Sequence, residues 1–109
     1  MSRFIEISRR AWTDLRRILR WLDGRSPKGA LAWYQAFWKA ATRVADGAES
    51  YPLADESPRL QSPVREALFK TRRGRRYRII FDFSATELFI LRIRRPGQRP
   101  LRRWDLPSN

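Results

Sequence analysis

The side chains of this chain best equipped for chemistry are its arginines. Of 24 basic residues 21 are Arg, set against 11 Asp and Glu, and the formal charge is +13. The excess is uneven: residues 59–109 hold fourteen basic and four acidic groups, while residues 1–58 hold ten and seven. A guanidinium is a planar fork of donors that pairs bidentately with phosphate, carboxylate or a base edge. A field of this sign steers phosphate backbones or acidic proteins toward it. Other chemistries are closed by residue type. With no His and no Cys, the usual general base, the thiolate nucleophile and the usual zinc ligands are missing. No metal or cofactor is expected. Asp55 and Glu56 are neighbours in a loop, which does not make a positioned acid–base pair, and Arg73-Gly74-Arg75 is no phosphate loop.

Spacing sharpens the point. In a strand, side chains alternate between faces. Arg78 alternates with Ile79 and Phe81, and Arg92 and Arg94 alternate with Leu91 and Ile93. That pattern puts Arg78, Arg92 and Arg94 together on a sheet face away from the core. Arg72, Arg73, Arg75 and Arg76 crowd the adjoining turn, and Arg95 follows directly. An exposed antiparallel face is polar whenever it meets water, so a solvated face is one reading. Few acids interleave with these arginines, and a basic binding surface is the other. On either reading, alanine at Arg78 and Arg94 is expected to leave the fold intact, because exposed substitutions change stability by less than about 0.5 kcal/mol.

The elements that position these groups follow from periodicity. Phe4–Ile7 reads as a strand, and Ser8 is a good cap for a helix with Ala11, Leu15, Ile18, Leu19 and Leu22 on one stripe. Trp12 flanks that stripe. Gly24 is expected to end the helix in a left-handed conformation. Ser26-Pro27 starts a second helix with the stripe Ala30, Trp33, Tyr34, Phe37, Ala41 and Val44. From Asp46 to Pro63 the periodicity fails, and a loop pinned by Tyr51 and Leu53 is expected. Three strand candidates come next: Val64–Arg72, Tyr77–Phe83, and Glu87–Arg94 with Phe89, Leu91 and Ile93 on one face. Their short turns predict an antiparallel meander, and the tail from about Pro96 reads as irregular. The sum is a single α+β domain over 1–109, in two layers, with a helical hairpin packed on the sheet. No apolar run nears the roughly 20 residues that span a bilayer, and the opening has no signal-peptide core. Together with the absence of Cys, this points to the cytoplasm. Four Trp lie on the hairpin, more than one sheet face can take. Trp12 and Trp33 read as core or its rim; Trp21 and Trp38 are candidates for cover by a partner protein or a second copy.

The strings Leu68-Phe69-Lys70-Thr71-Arg72-Arg73-Gly74-Arg75-Arg76-Tyr77-Arg78-Ile79-Ile80-Phe81 and Ile90-Leu91-Arg92-Ile93-Arg94-Arg95-Pro96-Gly97-Gln98 resemble the RelE/ParE toxin superfamily. So do Ile7-Ser8 leading into Ala11, Asp14, Leu15 and Trp21, and the stretch Pro52-Leu53-Ala54-Asp55-Glu56. The resemblance covers about residues 3–98. It implies a growth-inhibiting toxin of a type II toxin–antitoxin module, of the plasmid-stabilisation kind, with a cognate antitoxin wrapped around it. A homodimer or a toxin–antitoxin heterotetramer is the implied assembly. One branch cleaves mRNA in the ribosome; the other poisons DNA gyrase. By position, Arg78 matches the family's strand arginine, Lys70 one of its basic positions, and Arg94 or Arg95 its late basic residue. Lys70, Arg78 and Arg94 are thus the catalytic set if the chain is an mRNA endonuclease. Leu68 replaces a basic companion, however, and no Tyr follows Tyr77. Cleavage needs a proton taken from a 2′-hydroxyl, and the indole of Trp104 cannot take it. Arg, with a pKa above about 12, is a poor base. The gyrase-binding, ParE-like branch is therefore favoured. Arg72, Arg73, Arg76, Arg78, Arg92, Arg94 and Arg95 are the candidate surface for target or nucleic acid, and Trp21 and Trp38 the candidate contacts for an acidic, amphipathic antitoxin.

Overall fold

A computed structural model describes residues 2–107; Met1, Ser108 and Asn109 of the expected 1–109 domain lie outside the described residues. The elements run β1 (Phe4–Ile7), α1 (Arg9–Arg25), α2 (Pro27–Gly47), a short α3 (Ser57–Leu60), β2 (Arg65–Phe69), β3 (Tyr77–Phe83) and β4 (Glu87–Arg94). The sheet order is β1-β4-β3-β2. β2, β3 and β4 form the expected antiparallel meander, and β1 adds to β4 in parallel. The fold is α+β with a mixed four-stranded sheet.

Both helix starts are capped as their sequences predict. The Ser8 and Ser26 hydroxyls each accept a hydrogen bond, 3.0 Å long, from Ala11 N–H and Gly29 N–H. The break between the helices falls at Ser26 and not at Gly24. α1 runs through Gly24 to Arg25, and Ser26 is extended at φ −164°. Pro27 explains this: its ring disfavours helical geometry in the residue before it, so Ser26 closes one helix and caps the next. β2 is shorter than its apolar pattern suggests. Beyond Phe69 the chain turns back, with Gly74 N–H bonded to Thr71 O. A Cβ at Gly74 would meet Thr71 Oγ1, so that hydroxyl would have to turn aside to admit a side chain.

The main core lies between the helical hairpin and one sheet face. Leu15 and Ile18 of α1 and Trp33, Phe37 and Val44 of α2 meet Phe69, Tyr77, Ile79 and Phe81. Trp33 anchors the aromatic part, with ring centroids 6.0 Å from Phe37 and 5.3 Å from Tyr77. On β4 the expected face is corrected. Ile80 lies opposite Arg92 but Phe81 lies opposite Ile90, so Leu91 is the extra residue of a bulge. The alternation slips there. The core face reads Leu88, Ile90 and Ile93, and Leu91 packs on the opposite side.

That opposite side is not open. Ala54, Leu60 and Val64 from the α2–β2 connection and Leu101 from the tail close over Ile80, with Leu91 and Leu106 packed alongside. Each large apolar side chain buried this way gains about 1.5–3 kcal/mol over exposure. The tail follows the expected irregular path, apart from one 3-10 turn at Arg103–Asp105. It nevertheless packs against the sheet as part of the fold.

Candidate functional site

The three strand arginines do share the face away from the helices, with Arg78 opposite Arg94 in register. They are not available there. Arg78 donates from both terminal nitrogens to Glu56 at 2.9 and 2.6 Å, and from Nε to Glu66 at 2.8 Å. Glu56, which is buried, also accepts from Leu101 N–H at 3.0 Å. The Arg78 guanidinium, with help from that N–H, holds the Glu56 carboxyl at about 2, and the same pairing pushes Arg78 up. Arg92 is gripped by Asp14 of α1 at 2.8 and 2.9 Å and also donates to Asp105 O. Asp14 in turn accepts from Ile93 N–H at 3.0 Å. Its carboxylate pushes Arg92 up.

Arg94 is the outlier. It is 3% exposed, donates from one nitrogen to Arg99 O at 2.6 Å, and has a buried Nε with no partner. Burial, reinforced by the charge of Arg92, pulls its pKa below the ordinary arginine value. Asp105 fastens the tail that covers it. Its carboxylate takes both terminal nitrogens of Arg99, at 2.7 and 2.9 Å, and the Arg102 N–H at 2.8 Å. These bonds hold the Asp105 carboxyl well below the usual range.

The reading of this face as an exposed basic surface is therefore corrected: its arginines tie the loop, α1 and the tail to the sheet. The matching expectation for alanine is corrected too. Removing the Arg78 guanidinium would leave the Glu56 carboxylate buried without its main partner, a change that costs about 3–5 kcal/mol. Glu56, Asp14 and Asp105 went unrecognised in the sequence. Glu56 and Asp14 pair with arginines 22 and 78 positions away, and Asp105 with Arg99 six positions away across an irregular turn. No helix or strand periodicity marks such a partner. Lys70 is exposed and lies apart, beside Lys39 and Arg43 of α2. Lys70, Arg78 and Arg94 thus do not form one open set.

Five further arginines lie together at one end of the sheet. Arg72, Arg73, Arg75, Arg76 and Arg95 are all exposed. Arg73, Arg75 and Arg95, with Arg25 of α1, line a cleft of about 690 Å³ between the α1–α2 junction, the β2–β3 turn and the turn after β4. Its apolar wall includes Trp21, Trp33 and Tyr77. Trp21 is 50% exposed and carries the Arg25 guanidinium over its ring at 4.6 Å. Trp33 is buried, and its indole N–H has no acceptor. Burial raises the Tyr77 phenol above its ordinary value. The turn after β4 is held by Arg95 N–H bonding Gln98 Oε1 at 2.6 Å, and Gly97 supplies its positive φ of 79°.

The two indoles singled out in the sequence part company. Trp21 lines this cleft. Trp38 is half-buried, packs edge-on against Phe37 at 5.2 Å, and lies beside Tyr34 on the outer face of α2. Between them, Leu19, Leu31 and Tyr34 line an apolar groove where α1 meets α2. Among the described residues no group of acids forms a metal site, and no helix is long and apolar enough to cross a membrane.

Residues 5–100 match the sequence profile of a family described as the ParE toxin of the type II toxin–antitoxin system, parDE. A comparison with curated proteins returned no match.

Proposed function

Because the chain belongs to the ParE toxin family, the toxins of type II toxin–antitoxin systems, we propose that it arrests growth by binding DNA gyrase in the cytoplasm rather than by cutting RNA. The observation that carries this reading is the state of the strand arginines. An RNA-cleaving site needs cations free to meet a phosphate in the transition state, and a group to take a proton. Here Arg78 and Arg92 are saturated by carboxylates and Arg94 is buried under the tail. No His is present and no Tyr follows Tyr77. The contact surface for the target is the set that remains outside those pairs: Arg72, Arg73, Arg76 and Arg95. The antitoxin, acidic and amphipathic, lays apolar side chains into the groove at Leu19, Leu31 and Tyr34 and reaches Trp21 and Trp38 on either side. That is a helix-in-groove mode.

Two assays with the purified chain separate the branches. Inhibition of gyrase supercoiling, relieved by the antitoxin, is the expected result. Cleavage of mRNA in a translation extract with gyrase unaffected would overturn the reading and return Lys70, Arg78 and Arg94 to a catalytic role.

A further inference from the structure

We infer that the cleft between the α1–α2 junction and the β2–β3 turn takes one nucleotide unit, with its base against Trp21 and its phosphate on Arg73, Arg75 and Arg95. The inference goes beyond gyrase binding and does not depend on it; a chain that leaves gyrase untouched would still bind the nucleotide.

The lining is rich in donors and holds no carboxylate. Four guanidiniums line it, each a planar fork of donors. A ligand of acceptors fits this wall, because a guanidinium fork pairs bidentately with a phosphate. Trp21 is half-exposed with the Arg25 guanidinium over its ring, and a base stacks on the part left open; such stacking tolerates any base. The volume, about 690 Å³, falls in the range of small-molecule sites. A peptide suits it less well. Every peptide unit brings an N–H as well as a C=O, and this wall offers few acceptors. The Ser26 hydroxyl already accepts from Gly29, and Gln98 Oε1 is taken by Arg95 N–H. A nucleotide phosphate brings acceptors only. Gly97 supplies the positive φ of the turn that carries Arg95, and Gln98 ties that turn through the Arg95 N–H.

The nucleotide has two sources, free in solution or part of a single strand. Adenosine monophosphate and a short single-stranded oligodeoxynucleotide are titrated separately into the full chain, following indole fluorescence and heat. Inorganic phosphate, a duplex of the same sequence and a polyglutamate peptide serve as comparisons. Binding of one or both nucleotide probes is expected, at least tenfold weaker in Trp21→Ala and in Arg75→Ala, and unchanged in Arg16→Ala, which removes equal charge from an exposed position outside the cleft. Stronger binding of the oligonucleotide assigns the strand as source, and equal binding assigns the free nucleotide. Unchanged melting temperatures in the three variants keep the comparison clean, and Trp21→Phe restores binding if stacking is the contact. Phosphate binding as tightly as the nucleotides, duplex binding that ignores Trp21, or displacement of the nucleotides by the polyglutamate peptide, which has no apolar face to seat beside Trp21, would each overturn the inference.

Discussion

Replacing Glu56 with Gln tests whether the far sheet face is held by a buried ion pair. The carboxyl, normally near 4.5, sits at about 2 in the folded chain. A shift of that size, at 1.36 kcal/mol per unit, corresponds to about 3 kcal/mol of stability. That figure is an upper one, because Arg78 keeps 24% of its side chain exposed and retains Glu66 as a second partner. Glutamine preserves the shape and one acceptor for Leu101 N–H, so a loss of about 2–3 kcal/mol at pH 7 is expected. The sign of the pH dependence follows from proton uptake. Below its ordinary value the unfolded chain binds a proton at Glu56 while the folded chain does not, so folding weakens as pH falls. The contribution is complete above about pH 5, declines from 4.5 toward 2, and is gone below. Urea unfolding of both proteins from pH 7 down to 2.5 measures it. The gap between them should hold from pH 7 to about 5 and narrow from about 4.5 downward, as Glu56 of the unfolded chain takes up its proton. A gap under about 1 kcal/mol at pH 7, or one that stays constant with pH, would refute the ion-pair reasoning.

Other outcomes follow from the same geometry. Induction of the chain without antitoxin should stop growth, and Arg72, Arg73 and Arg76 changed together to Ala should restore it with a shift in stability of less than about 0.5 kcal/mol per site; growth assays and melting curves check both. Arg94→Met should be neutral or stabilising by roughly 1 kcal/mol, because a buried cation without a carboxylate gives way to an apolar side chain of similar volume. Denaturant unfolding reads the sign directly. Trp21→Ala should weaken antitoxin binding by about 2 kcal/mol in calorimetry without lowering the melting temperature. Trp38→Ala should lower both, since its ring packs on Phe37.

Local periodicity carried most of the architecture. Ser8 and Ser26 as caps, the two helical stripes and the β3 alternation all rest on neighbours within four residues, and they stand as read. What escaped are features decided at long range. The bulge at Leu91 shows only in how β4 meets β3, and it inverts the face of everything before it. The cover over Ile80 comes from residues 16 to 26 positions before it and 21 after. An arginine opposite Arg94 in register reads the same whether it meets water or Glu56. The Trp21 cleft was half legible: the ring is visibly off the apolar stripe, but the turns that bring Arg75 and Arg95 to it are not.

Asp14 and the Pro52–Leu53 segment bear on how the sheet behaves in company. β1 pairs with β4 only as far as Ile90, and beyond it the Asp14 carboxylate takes up the Ile93 N–H. At the opposite border, Pro52 O accepts from Glu66 N–H and Leu53 bridges to Arg65, while Lys70 follows the strand's end. Unpaired strand borders invite pairing with another chain. The end of β4 beyond β1 and the start of β2 are thus blunted by the molecule's own groups, while the outer edge of β1 and a stretch of β2 near Leu68 carry no such strap among the described residues. In a chain that accumulated without its antitoxin, strand-to-strand pairing would thus be confined to the outer edge of β1 and the end of β2.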